Sequence, residues 1–243
     1  LILILMLFSV TAKSQENVIH TGEYIYLKTD STKMFIMGSF ESRDTAFRVI
    51  NKGTIHLQGD LINNGTQHIF GIPTAGTLRF FGGAYGNYAR ILGVDTIYLR
   101  NLIVDIDTPA THGSVLLRTK VLSATGNLEF NRGGFDLDTN ILNLLCLPSD
   151  TMDGIIKESD SSRVFLINNN TTGRITLNNF PWVTGYHPQI RGMGLSLIQS
   201  ENLGGNPVLT RTFVSQYCGD SVVQGGSIHR EFRLKNNASK AQF

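Results

Sequence analysis

The chain has 243 residues, with 21 Lys+Arg against 19 Asp+Glu and 6 His, for a formal net charge of +2. That balance excludes the strongly basic surface of a nucleic-acid-binding domain. A hydrophobic share of 41% excludes an intrinsically disordered chain. A charged share of only 16%, together with 25 Gly, points to a turn-rich β protein of the exported kind.

Leu1 to Val10 is an apolar run of signal-peptide length, too short to span a bilayer. Ala12 and Ser14 are small residues spaced as in a cleavage site, so residues 1–14 are expected to be a signal peptide cut after Ser14. A buried strand or a membrane anchor is the alternative. The chain opens on Leu1 without a basic n-region and ends on Phe243 soon after a strand-like segment, and reads as a fragment. No later segment is apolar for long enough to cross a membrane.

From residue 15 to 147 the sequence repeats. Ile55, Leu57, Gly59 and Leu61 form an apolar-x-apolar-x-Gly-x-apolar unit. The same unit occurs at Met34, Ile36, Gly38 and Phe40, at Leu78, Phe80, Gly82 and Ala84, and at Leu122, Ala124, Gly126 and Leu128. The glycines are separated by 21, 23 and 44 residues, a period of about 22 with one degenerate unit, in which Val104 takes the Gly slot. Alternation with period two makes the unit a set of strands. A unit this short cannot bury its own apolar face and must stack on its neighbours. Leucine-rich repeats share the length, but the required Asn or Cys is Asp107. The prediction is an all-β chain. Its first part is a β-solenoid, right-handed and β-helix-like, with turns at Asn51-Lys52-Gly53, Asn63-Asn64-Gly65 and Arg132-Gly133-Gly134. Near residue 148 the period is lost, and residues 148–243 are expected to form a second β region, with a sandwich as one arrangement open to it.

The order of stretches Asn51–Gln67, Gly76–Gly83, Ala89–Gly93, Ile97–Asp105, Thr125–Leu144 and Ser227–Asn236 resembles the large type IX-secreted cell-surface proteins of Bacteroidetes. In that family a signal peptide and a β-rich repeat region precede later domains and a C-terminal sorting domain; a fragment of such a protein is expected to stop short of the sorting domain. The resemblance implies a secreted or cell-surface location and an adhesive or structural role. It transfers no catalytic residue.

Asp105 and Asp107 are two apart on a predicted strand and share a face, as do Asp136 and Asp138. Three readings apply: ordinary polar outward positions, calcium ligands stacked on adjacent coils, or an acid/base pair acting on a glycan. Calcium is the one cofactor these residues suggest. The six histidines, His20, His56, His68, His112, His187 and His229, lack metal-site spacing and are expected to be solvated or in loops; alternation turns His56 outward. Gly219-Asp220-Ser221 lacks the strand–turn–helix setting of a nucleophile. Cys146 and Cys218 form no metal set; they are either buried thiols or, after export, a disulfide. Phe81, Tyr85 and Tyr88, with Trp182 and Tyr186 further on, are candidates for a sugar platform, against a role in core or turn packing. The expected function is an exported, non-catalytic spacer or adhesive surface whose partner is a polysaccharide or another surface component. The alternative is a polysaccharide-active lyase or glycosidase, or a carbohydrate-binding accessory of one. Acids and a basic side chain stacked on one face of adjacent coils would favour it.

Overall fold

A computed structural model describes residues 17–20, 24–43, 49–65, 68–71, 75–82, 88–106, 114–119, 121–145, 156–158, 162, 164–165, 173–180, 182, 184–187, 190–201, 203, 207–213 and 230–235. The expected signal peptide, Asp107, Tyr85, Cys146, Cys218 and the Gly219-Asp220-Ser221 motif lie outside them.

In chain order the strands are β1 (Val18–His20), β2 (Ile25–Leu27), β3 (Lys33–Ile36), β4 (Phe40–Ser42), β5 (Val49–Asn51), β6 (Thr54–Leu57), β7 (Leu61–Asn63) and β8 (Thr77–Gly82). Then come β9 (Tyr88–Gly93), β10 (Ile97–Leu99), β11 (Asn101–Ile106), β12 (Ser114–Arg118), β13 (Val121–Ala124), β14 (Leu128–Arg132), β15 (Gly134–Asp136) and β16 (Ile141–Leu145). Last are β17 (Ile156–Lys157), β18 (Val164–Phe165), β19 (Arg174–Asn178), β20 (Gly185–His187), β21 (Leu197–Gln199), β22 (Val208–Phe213) and β23 (Arg230–Lys235). A 3-10 turn at Ile190–Gly192 precedes β21.

The chain is a β-solenoid. Each turn visits three faces in order. The first face carries β2-β5, then β10-β13-β16-β19; the second carries β3-β6-β8-β11-β14-β17; the third carries β1-β4-β7-β9-β12-β15-β18. All these neighbours pair in parallel. Alternation explains the construction. Ile55, Leu57, Leu78, Phe80, Leu102, Val104, Leu128 and Phe130 point inward and are buried at 3% exposure or less. Each such side chain contributes about 1.5–3 kcal/mol relative to exposure.

The register corrects the repeat. Met34, Ile55, Leu78, Leu102, Leu128 and Ile156 form one column. Turns therefore advance 21, 23, 24, 26 and 28 residues, about 24 on average, and lengthen along the chain. Val104 lies beside Phe80, not in the glycine slot; Ile106 is the residue beside Gly82. Leu122 and Ala124 lie on the first face beside Ile97 and Leu99, so the unit around Gly126 is out of phase with the other three.

Two glycine columns flank the second face. Gly38, Gly59 and Gly82 trail it; Gly53, Gly76 and Gly126 lead it, two residues ahead of Ile55, Leu78 and Leu128. Close approach explains both. A Cβ on Gly59 would lie 2.6 Å from the Gly38 carbonyl carbon, and one on Gly126 would lie 2.4 Å from Asn101 Oδ1. The expected single period joined three members of one column to one of the other.

Parallel stacking does not stop near residue 148: β17, β18 and β19 continue the three faces. Pairing changes only after Asn178, where β22 joins β19 antiparallel and β23 joins β22. Among the described residues these strands extend the solenoid's own sheet, and β20–β21 is a separate small hairpin. Arg211 of β22 is fully buried at this end. Its guanidinium holds both carboxylate oxygens of Glu158 at 2.9 and 3.0 Å and donates to the Met193 carbonyl at 3.1 Å. Among the described residues no helix is long and apolar enough to cross a membrane.

Candidate functional site

The outward positions of the second face are stacked as regularly as the inward ones. One row runs Phe35, His56, Arg79, Ile103, Glu129, Lys157, and the next runs Phe81, Asp105, Arg132. Adjacent strands lie about 4.8 Å apart, so these side chains are forced into contact.

At one end of the rows is an aromatic cluster. Phe35, 60% exposed, lies flat on the His56 imidazole, with centroids 4.3 Å apart and planes at 9°. Phe81 meets both rings edge-on, at 6.2 Å from Phe35 and 5.8 Å from His56. His56 does point outward as alternation requires, but it is not solvated: Phe35 and Phe81 cover it, leaving 7% exposure. Burial, then the positive charges of Arg79 and Lys33, hold its pKa below the ordinary value. It is therefore a neutral imidazole at physiological pH. Its Nε2 and the neighbouring Nε of Arg79 have no hydrogen-bond partner among the described residues.

Beside the cluster is a charged network. Arg132 Nε donates to Asp105 Oδ1 at 2.6 Å, and Arg79 Nη2 donates to Asp105 Oδ2. A register shift between Val104 and Asp105 sets this up, because it places Arg132 opposite Asp105. A bulge of this kind re-aims side chains. The hydrogen bond from Arg132, and next that from Arg79, outweigh burial and hold the Asp105 pKa below the ordinary carboxylate value. Further along, Lys157 Nζ donates to Glu129 Oε1 at 2.5 Å.

The other expected site residues fall in different places. Asp136 ends β15 and is buried, and its Oδ1 accepts the backbone N–H of Asp138. Asp138 lies beyond the strand with a left-handed φ of 50° and pairs with Arg118. The two are thus not successive outward positions of one strand. Among the described residues no group of three His, Cys, Asp or Glu is placed to hold a metal ion. Tyr88 pairs through its backbone beside Ser114 on the third face, and its side chain is outside the described parts. Trp182 is no platform. It is 5% exposed, packs against Phe180 at 4.8 Å, and donates its indole N–H to the Pro207 carbonyl. Tyr186, four residues on, is the exposed aromatic there, opposite Ile198 on the hairpin.

Phe35 is the residue that sequence reasoning passed over. Its signal was available: Met34 and Ile36 belong to the repeat, so Phe35 between them must face out. The first face also exposes Tyr24, Tyr26 and Ile50, but no ion network adjoins them in the described residues.

No protein-family model matches this sequence, and no curated protein or solved structure is detectably similar to it.

Proposed function

We propose that the chain is an exported, non-catalytic surface protein whose solenoid presents its second face as a binding surface for polysaccharide. The observation that carries this reading is the exposed Phe35 ring stacked on a neutral His56, directly beside the Arg79–Asp105–Arg132 network. An aromatic ring packs against the C–H face of a sugar, and nearby charged and polar groups fix the sugar's orientation. The parallel sheet sets these side chains out in a row along the stack at a constant strand spacing, which suits a polymer better than a single small molecule. Export is supported by the apolar run Leu1–Val10 followed by Ala12 and Ser14, and by the resemblance to type IX-secreted surface proteins.

The enzymatic alternative has one specific observation in its favour, because acids and bases do stack on one face of adjacent coils. The chemistry of the pairings argues for binding. Asp105 has an arginine on each carboxylate oxygen and a lowered pKa, so it is a poor proton donor. An arginine stays protonated and is no general base, and the Lys157 ammonium is engaged by Glu129.

The test is co-sedimentation of the purified chain with a panel of insoluble neutral and acidic polysaccharides, with product analysis on the same samples. Retention on at least one polymer, lost in Phe35→Ala and without chain cleavage, is expected. New reducing ends or unsaturated products would overturn the non-catalytic reading, and no retention on any polymer would overturn binding.

A further inference from the structure

We infer that the ligand of the second face is an acidic polysaccharide, with one of its sugar rings lying on Phe35 and the carboxylate of a further unit held at Arg79; this rests on the polysaccharide-binding reading above. Charge decides the class. The outward side of this face carries Lys33, Arg79, Arg132 and Lys157 against Asp105 and Glu129. His56 adds nothing, being neutral at physiological pH. The surplus is positive, in a protein whose overall balance is near zero. An anionic chain is attracted to such a face, and the attraction is screened by salt.

Geometry narrows the class to carboxylates. A guanidinium is a planar fork that matches the planar carboxylate group. The structure already contains one such match, where Asp105 draws an N–H from each of two arginines on neighbouring turns. Asp105 takes Arg79 through Nη2. That side chain is 36% exposed and stands at the rim of the aromatic cluster. Arg79 stands two turns beyond Phe35, past His56, so a polymer with one ring on the exposed side of Phe35 carries a further unit to this cationic side chain. An acidic peptide shares the charge but lacks a stiff ring to lie on Phe35.

The experiment is isothermal titration of the full chain with polygalacturonate, with the same polymer after its carboxyls are reduced to alcohols, with dextran sulfate, and with poly-glutamate. Polygalacturonate is expected to bind, with affinity falling as salt rises. Carboxyl reduction and Phe35→Ala are each expected to weaken it about tenfold or more. Phe35 is exposed, so its truncation spares the fold. Arg132→Gln provides a second variant on the cationic side and is expected to flatten the salt dependence. Equal affinity for the reduced polymer would overturn this inference while leaving polysaccharide binding intact. Dextran sulfate or poly-glutamate bound as tightly as polygalacturonate would also overturn it, in favour of general anion attraction. If none of the four binds and the co-sedimentation panel is also negative, the broader reading falls with it.

Discussion

His56 shows how a single position can carry both packing and electrostatics. Its pKa is depressed by burial first and by Arg79 and Lys33 next. The unfolded chain therefore takes up the proton before the folded one does. Stability is full above the ordinary value of 6.5 and falls as pH drops below it, until the folded-state pKa is passed. Urea unfolding of the wild type and of His56→Gln between neutral pH and about pH 5 is expected to show a shallower decline in the variant. Equal slopes would contradict the burial of a neutral imidazole. Asp105 has the same sign of effect in a more acidic window: its pairs are present above its ordinary pKa of 3.8 and are lost as pH falls through its lowered one. Asp105→Asn is expected to cost about 2 kcal/mol in the same assay, since charged hydrogen bonds to two arginines are removed. Because both oxygens of Asp105 already face arginines, adding or chelating calcium is expected to leave the melting temperature unchanged. A rise with calcium would return this acid to the metal-ligand reading. At this scale alternation in the sequence separated inward from outward residues on the second face and failed at Asp136, which is buried on the third. It did not reveal that Phe35 covers His56, because that contact joins neighbouring turns 21 residues apart.

At the scale of strands and corners, two features hold the turns in register. The glycine columns allow main chains to approach more closely than any side chain permits. Gly59→Ala and Gly126→Ala each force a Cβ against fixed backbone or a corner asparagine, and each is expected to cost about 2–3 kcal/mol in urea unfolding. Costs within the range of surface substitutions would contradict the packing. Corner asparagines add to the register: Asn101 Nδ2 donates to the Gly76 carbonyl at 3.1 Å, and Asn101 Oδ1 accepts the N–H of Asn127 at 3.0 Å. At the far end, the Arg211–Glu158 pair fastens β22 to the segment after β17. Arg211→Ala is expected to cost about 3–5 kcal/mol, because it strands a carboxylate in a largely buried position. The double variant Arg211→Met with Glu158→Leu is expected to recover much of that loss. The strands of this region were legible in the sequence, and their periodicity was not. Ile141 of β16 pairs with Arg174 of β19, so a full turn there takes 33 residues and hides the repeat. The merging of two glycine columns has a related cause, since Arg100 replaces glycine in the leading column and breaks its spacing.

For the whole molecule, three stacked faces mean that each turn is supported by its neighbours, and that a ligand face extends along the stack rather than sitting in a cleft. The sequence announced the solenoid because inward apolar positions must recur in every turn. It did not announce the binding face, because outward positions are free to vary and only their stacking brings Phe35, His56, Arg79 and Asp105 together. The most direct measurement is hydroxyl-radical footprinting of the full chain with and without a polysaccharide it retains. Protection is expected at Phe35 and Phe81 on the second face, with Tyr24 and Tyr26 on the first face and Tyr186 on the hairpin unchanged. Protection of Tyr26 or Tyr186 with Phe35 left reactive would contradict the assignment of the binding face.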